Sequence, residues 1–449
     1  MTEKRAHFAT RLGAIATTVG SAVGLGNIWR FPYEAGVNGG GAFLLIDLFF
    51  VFVIGIPVVC AEFIIGRHTG LNIRGAFKKL APGKSWSILG YMGILASILI
   101  LSFYSVVAGW TLEYLRLSII GFGGESSVES LHSRFDTFAT SDISPVICTL
   151  LFLFINYVIV IRGVQRGIER MSNIMMPMLF VLLAIFCINS LMLPGATDGL
   201  SFLFNPDFSK VTPSVMIGAM GQAFFSLSLG LGCLITYSSY FKKDTPLLKT
   251  AGIMASLDTL VAILAGVIIF PAVFTFGMEP AAGPRLVFEI LPSVFNQLPG
   301  SAIWSTLFFF LLFLASLSST ISMSEISIAY LVDELSMSRR KATTIVIVTA
   351  MILGSLCALS FGSLSGITIF NLTFFNLFDY VSSNILLPLG GMFISIFVGY
   401  ILDRTVVMNE LAPDSTCRGL FGARLVVFCL RYIAPICIAA VFLYSLGIF

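Results

Sequence analysis

The sequence predicts an all-α polytopic membrane protein of eleven transmembrane helices, and three observations predict it. Hydrophobic residues make up 57% of the 449 residues and charged residues only 11%, where a soluble domain carries about 25% charge. Apolar runs near the ~20 residues that cross a bilayer recur along almost the whole length. Two of those runs, the first and the sixth, are interrupted by glycine and serine at corresponding places. Mean hydropathy is +0.97 and charge is confined to short gaps. No room is left for a sizeable soluble domain, and 1–449 reads as one transmembrane domain.

The runs able to span are roughly 12–36, 42–66, 88–117, 144–161, 168–192, 213–240, 248–276, 300–331, 343–360, 372–402 and 425–447. With the N-terminus cytoplasmic, 20 of the 26 Lys and Arg residues fall in inside gaps, as the positive-inside rule requires. An odd number of spans then places the C-terminus outside the cytoplasm. The net charge of +3 reflects this anchoring and gives no argument for nucleic acid. The opening MTEKRAHFATRLG lacks a cleavage-site pattern, so the first span is expected to be retained.

The eight cysteines show no CxxC spacing and read as buried small hydrophobes. His7, His68 and His132 lie at or outside the membrane edge, and the sequence has no nucleotide loop, HExxH or nucleophile elbow. An enzyme is not expected. Between spans, the gap 277–299 is expected to fold as a helical hairpin on the outer side. The gap 67–87, with NIRGAFKKLAPG, is expected to hold an amphipathic helix on the inner membrane surface.

The first run contains Gly20-Ser21-Ala22-Val23-Gly24-Leu25-Gly26-Asn27, and the sixth contains Ser226-Leu227-Ser228-Leu229-Gly230-Leu231-Gly232. Each glycine costs roughly 0.5–1 kcal/mol in a helix interior, so both helices are expected to unwind in mid-membrane. Unwound backbone at that depth must be buried or line a cavity. Its free carbonyls and half-helix ends can hold a cation and an anionic group together, the site geometry of secondary transporters. The matched breaks divide the chain into a 5+5 repeat, 12–192 and 213–402, with 425–447 as a peripheral span.

GSAVGLGNIWRFPYEAGVNGGGAF in the first run, QAFFSLSLGLG in the sixth and SLSST in the eighth resemble the signature of the neurotransmitter:sodium symporter family, in its bacterial amino acid transporter branch. The resemblance covers nearly the full chain. It implies inverted repeats, alternating access and two sodium sites, with no organic cofactor. The first site would use Ala22, Asn27, Ser226 and Asp258; the second Gly20, Val23, Ala315, Ser318 and Ser319. Clustered carbonyls, hydroxyls and one carboxylate suit a partly dehydrated Na⁺.

The substrate would meet the Leu25–Gly26 backbone, the Tyr104 hydroxyl and the carbonyls of Ser226 and Leu227. Val23, Ile100, Phe225, Ser228, Leu231, Ser319 and Met323 would form the walls. Gly24 stands where monoamine carriers of the family have an acid, which favours an amino acid. The walls offer no charged partner, so a neutral, hydrophobic substrate is expected, aromatic ones included. Arg30 and Asp379 would form an outer gate and Arg5 and Asp333 an inner one. Gly167 and Pro177 either let the inner end of the fifth span unwind or leave a static kink.

Ala262 stands where chloride-dependent members have serine. Transport is therefore expected to be chloride-independent, with Asp258 or Asp47 supplying the compensating charge and open to proton uptake on the return step. Glu62 and Glu325 read as structural hydrogen-bond partners. The resemblance further implies the cytoplasmic membrane of a prokaryote, a lipid environment and no obligate protein partner. The rival reading is a non-transporting amino acid sensor of the same fold.

Overall fold

The computed structural model describes residues 7–121, 128–277, 286–296, 300–413 and 417–446. Among the described residues eight helices are each long and apolar enough to cross a membrane: Gly41–Thr69, Ser85–Ile120, Val164–Leu191, Leu247–Thr275, Ser301–Asp333, Arg339–Leu359, Phe374–Ile401 and Gly419–Ser445. These are the second, third, fifth and seventh to eleventh spans. The fourth, Ser144–Val160, has 17 residues, about 25 Å of helix. The first and sixth are the broken ones.

The break in the first span bends Arg11–Ala22 against Gly26–Val37 by 51°. Thr10 caps the inner half through its hydroxyl, and Val23 leaves the helix with extended backbone (ψ 115°). In the sixth span Pro213–Ser226 ends at Leu227 and Cys233–Ser238 resumes after Gly232. Ser228, Gly230 and Gly232 have φ of 53°, 82° and 78°, a left-handed run that glycine adopts at little steric cost. Gly230 also allows close approach, since a Cβ there would stand 2.2 Å from the Leu387 carbonyl oxygen.

The helix expected in the gap 67–87 is Ile73–Leu80, capped by Asn72. It does not simply lie on the surface. Ile73, Ala76 and Phe77 are fully buried, with Phe77 edge-on to Phe397 at 5.0 Å, because the neighbouring span ends leave a socket for it. On the opposite face Val128–Ala139 packs against the helical stretch Leu286–Ile290 and Leu291–Asn296, with Phe135 and Phe288 stacked at 5.7 Å. The rest of the expected hairpin lies outside the described residues.

The third and eighth spans, 36 and 33 residues long, run through the middle of the bundle beside both breaks. Tyr104 and Ser318–Ser319 are carried there on continuous helix, opposite the unwound backbone. Rigid helices therefore face irregular ones across the centre.

Candidate functional site

Where the first span unwinds, its backbone donors and acceptors must be satisfied by neighbours. The Gly24 N–H donates to Asn27 Oδ1 at 3.0 Å and the Leu25 N–H to the Tyr104 hydroxyl at 3.0 Å. Gly24 is tightly enclosed, since a Cβ there would meet Ser319 Oγ at 2.5 Å and Tyr104 Oη at 2.9 Å. An acidic side chain at this position would fill the centre.

Two clusters of oxygen atoms flank that point. In the first, Asn27 Nδ2 donates to Asp258 Oδ1 at 2.7 Å and to Ser226 Oγ at 2.9 Å, while Ser226 Oγ donates to Asp258 Oδ2 at 2.6 Å. Asp258 is 1% exposed, and its partners here are neutral. A buried carboxylate without a basic partner is costly, and a small cation among these oxygens would relieve it. In the second cluster the hydroxyls of Ser318 and Ser319 each lie 3.3 Å from the Val23 carbonyl and also reach the Ala315 carbonyl. Gly20 faces Ser318, with a built Cβ at 3.5 Å from its Cβ. Among the described residues no three His, Cys, Asp or Glu side chains gather as around a transition metal.

A small cavity of about 30 Å³ lies between the clusters, lined by Ala22, Gly24, Gly26, Ile100, Tyr104, Phe225, Ser226, Ser228, Leu231, Ser319, Met323 and Leu387. Most expected wall residues are there. Val23 is not, because its carbonyl is turned to the serines and its side chain is fully buried; Leu227 is buried away from the cavity as well. Leu25 lines the neighbouring vestibule instead, while Ala22, expected only as a sodium ligand, and Leu387, not expected, join the wall. Leu387 starts the sequence LPLGG, whose proline and glycines mark a bend, but the contact itself is non-local.

Outward of Phe225 a vestibule of about 480 Å³ holds both Arg30 and Asp379. They do not pair in this structure. The Arg30 guanidinium sits 4.2 Å over the Phe225 ring and 4.0 Å from Glu34, while Asp379 accepts from Ser383. The inner end is packed instead. Phe8 meets Tyr237, Tyr240 and Phe241 at ring distances of 5.9–6.2 Å. Glu325 accepts from Tyr240 Oη at 2.8 Å and from both Arg339 nitrogens at 3.0 and 2.7 Å. Asp333 accepts from the Asn72 backbone and amide; Arg5 lies outside the described residues. Nearby at the surface, the hydrogen bond from Arg11 holds the Asp244 carboxyl below the usual carboxylate range.

Gly167 lies in a wide helical turn, Val164–Glu169, and Pro177 within the regular helix that follows. The fifth span is wound here. Asp47 is 5% exposed, its Oδ1 has no partner, and it lies within electrostatic reach of Asp258. Gln222, one turn before Ser226, is buried with both amide atoms unpartnered. Glu62 accepts from the Gly230 N–H at 2.8 Å, the structural part expected of it.

Comparison with known proteins decides the family. The model of the sodium:neurotransmitter symporter family matches residues 5–122 and 125–449. The chain belongs to that family. The symporter is 38% identical over 446 residues to the uncharacterized sodium-dependent transporter YhdH of Bacillus subtilis, covering 99% of both chains. It is 39% identical over 455 residues to an uncharacterized sodium-dependent transporter of Haemophilus influenzae, again with 99% of both covered. Among solved structures, the crystal structure of MhsT in complex with L-phenylalanine matches with a TM-score of 0.90 and 45% identity. That match covers 98% of this chain and 100% of the other. The symporter is thus a multi-pass membrane protein with the fold of an amino acid carrier.

Proposed function

We propose that this chain carries a neutral, hydrophobic amino acid, aromatic ones included, across the cytoplasmic membrane of a prokaryote by sodium-coupled alternating access. The observation that carries the reading is the pair of oxygen clusters on either side of one cavity, the second built on the Val23 carbonyl freed by the helix break and the first tied to the same break by the Gly24 N–H that Asn27 Oδ1 accepts. Sodium here is cargo, and two ions travel with each substrate. One is held by Ala22, Asn27, Ser226 and Asp258, the other by Gly20, Val23, Ala315, Ser318 and Ser319. The substrate carboxylate meets the Leu25–Gly26 backbone and Tyr104; the apolar wall of Ile100, Phe225, Leu231 and Met323 takes the side chain. The likeness to a protein solved with L-phenylalanine supports this substrate class.

Repeats 12–192 and 213–402 rock against each other, span 425–447 stays peripheral, and the N-terminus is cytoplasmic. Arg30 with Asp379, and Arg5 with Asp333, close the two ends in turn, and Gly167 and Pro177 loosen the fifth span to release the inner sodium. Asp47 or Asp258 supplies the negative charge that chloride supplies elsewhere, and either can take up a proton on the return step. The unpartnered Asp47 oxygen supports that role.

The test is a binding panel of the twenty amino acids with and without Na⁺, followed by uptake into proteoliposomes. Sodium-dependent binding of leucine, phenylalanine or their like is expected, with uptake driven by a sodium gradient and unchanged when gluconate replaces chloride. Sodium-independent binding, or preference for a charged substrate, would overturn the mechanism; binding without uptake would make the chain a sensor.

A further inference from the structure

Beside the Phe225 ring lies a second cavity of about 70 Å³, bounded by Arg30, the first half of the sixth span, the tenth span and Ile438 and Val441 of the eleventh. Space for one water needs about 10–15 Å³ by the same measure, so this is room for several atoms. The two cavities share two wall residues, Phe225 and Leu387. The Arg30 guanidinium, which also lines the second cavity, sits over the Phe225 ring. Leu387 is 3% exposed and follows the wide helical turn Tyr380–Leu386, with Pro388 after it. Its carbonyl abuts Gly230 in the break of the sixth span. The backbone of Leu387 is therefore fixed, and its side chain is a partition between substrate space and spare space.

We propose that Leu387 sets the upper size limit of the transported side chain, by walling off the cavity under the eleventh span. This rests on the reading of the central cavity as the amino acid pocket. Shortening Leu387 joins the two spaces and lets a larger ring in. It also removes contacts from smaller side chains, since close packing is lost where a gap opens. The peripheral span thereby gains a part in substrate choice, because Val441 and Ile438 become the new far wall.

The experiment measures sodium-dependent competition by tryptophan and by leucine against one labelled substrate, in wild type and variants. In Leu387→Ala the ratio of tryptophan to leucine affinity is expected to rise by about tenfold or more, the scale of one or two methylenes in an apolar pocket. Leu387→Val should move it the same way by less, and Leu387→Phe the opposite way. Gly221 points at the spare cavity, where a built Cβ has only Val441 Cγ1 near it, at 3.9 Å. Adding Gly221→Leu to Leu387→Ala should refill the space and return the ratio toward wild type.

An unchanged ratio in Leu387→Ala overturns the proposal, as does a raised ratio that Gly221→Leu does not reverse. Should Leu387→Ala fail to fold, an unchanged ratio in Leu387→Val overturns it equally. A wild type that binds no amino acid overturns the functional reading itself, whereas normal wild-type binding with unaltered variants removes only the partition.

Discussion

The two ends of the broken first span meet different surroundings. At the inner end Phe8 is enclosed by three rings and Glu325 is held by Tyr240 and a two-pronged Arg339. At the outer end a vestibule of about 480 Å³ separates Arg30 from Asp379. The bundle is thus packed against protein at one end and faces open space at the other. The difference shows where the energy holding this state resides. The packed end is made of buried contacts and an ion pair whose carboxylate is buried, whereas Arg30 and Asp379 make no ion pair with each other across the vestibule.

The comparison breaks most directly at Arg339. Arg339→Ala leaves Glu325, 0% exposed, without its cation, a loss of about 3–5 kcal/mol for a buried pair. The expected result is faster thiol labelling of Cys233 from the inner side, in a protein retaining only that cysteine, and a lowered melting temperature. Unchanged labelling would mean the seal does not depend on this pair. Gly167→Ala comes next. Its Cβ would stand 2.2 Å from the Ile159 carbonyl oxygen, so the turn must shift at a cost of about 1–3 kcal/mol, readable as a drop in thermal stability.

Tyr240→Phe removes one hydrogen bond to a charged group but leaves Arg339 in place, which is worth about 1.5–3 kcal/mol at most. Cys233 labelling should rise by less than in Arg339→Ala; an equal rise would show that the tyrosine, not the arginine, holds the seal. The smallest change is expected from Asp379→Asn. With no ion pair to lose, melting should move by the equivalent of about 0–1 kcal/mol, while uptake falls because the outer gate closes poorly. A large loss of stability would show that the outer end is already locked.

Much of this was legible in the sequence. The runs 144–161, 248–276 and 300–331 match helices Ser144–Val160, Leu247–Thr275 and Ser301–Asp333, because membrane helices are set by local apolar length. The breaks were legible too, since glycine weakens a helix wherever it falls. What could not be read were contacts between distant segments. Nothing local tells that Ile73 and Phe77 are swallowed by the bundle, or that Leu387 reaches the central cavity. Nor does it tell that Gln222 is buried with its amide unpartnered. The separation of Arg30 and Asp379 depends on which conformation the chain adopts, and a sequence encodes more than one.

Glu62 makes the two helix breaks electrically unlike. In the sixth span the Gly230 N–H is already taken by an acid from the second span. In the first span the N–H groups of Gly24 and Leu25 face only an amide and a phenol. The two breaks differ in backbone and in partner: the sixth-span N–H is held by a carboxylate and the first-span pair by neutral oxygens. On the function proposed above, this asymmetry would orient a zwitterion with its carboxylate toward the neutral donors of the first span.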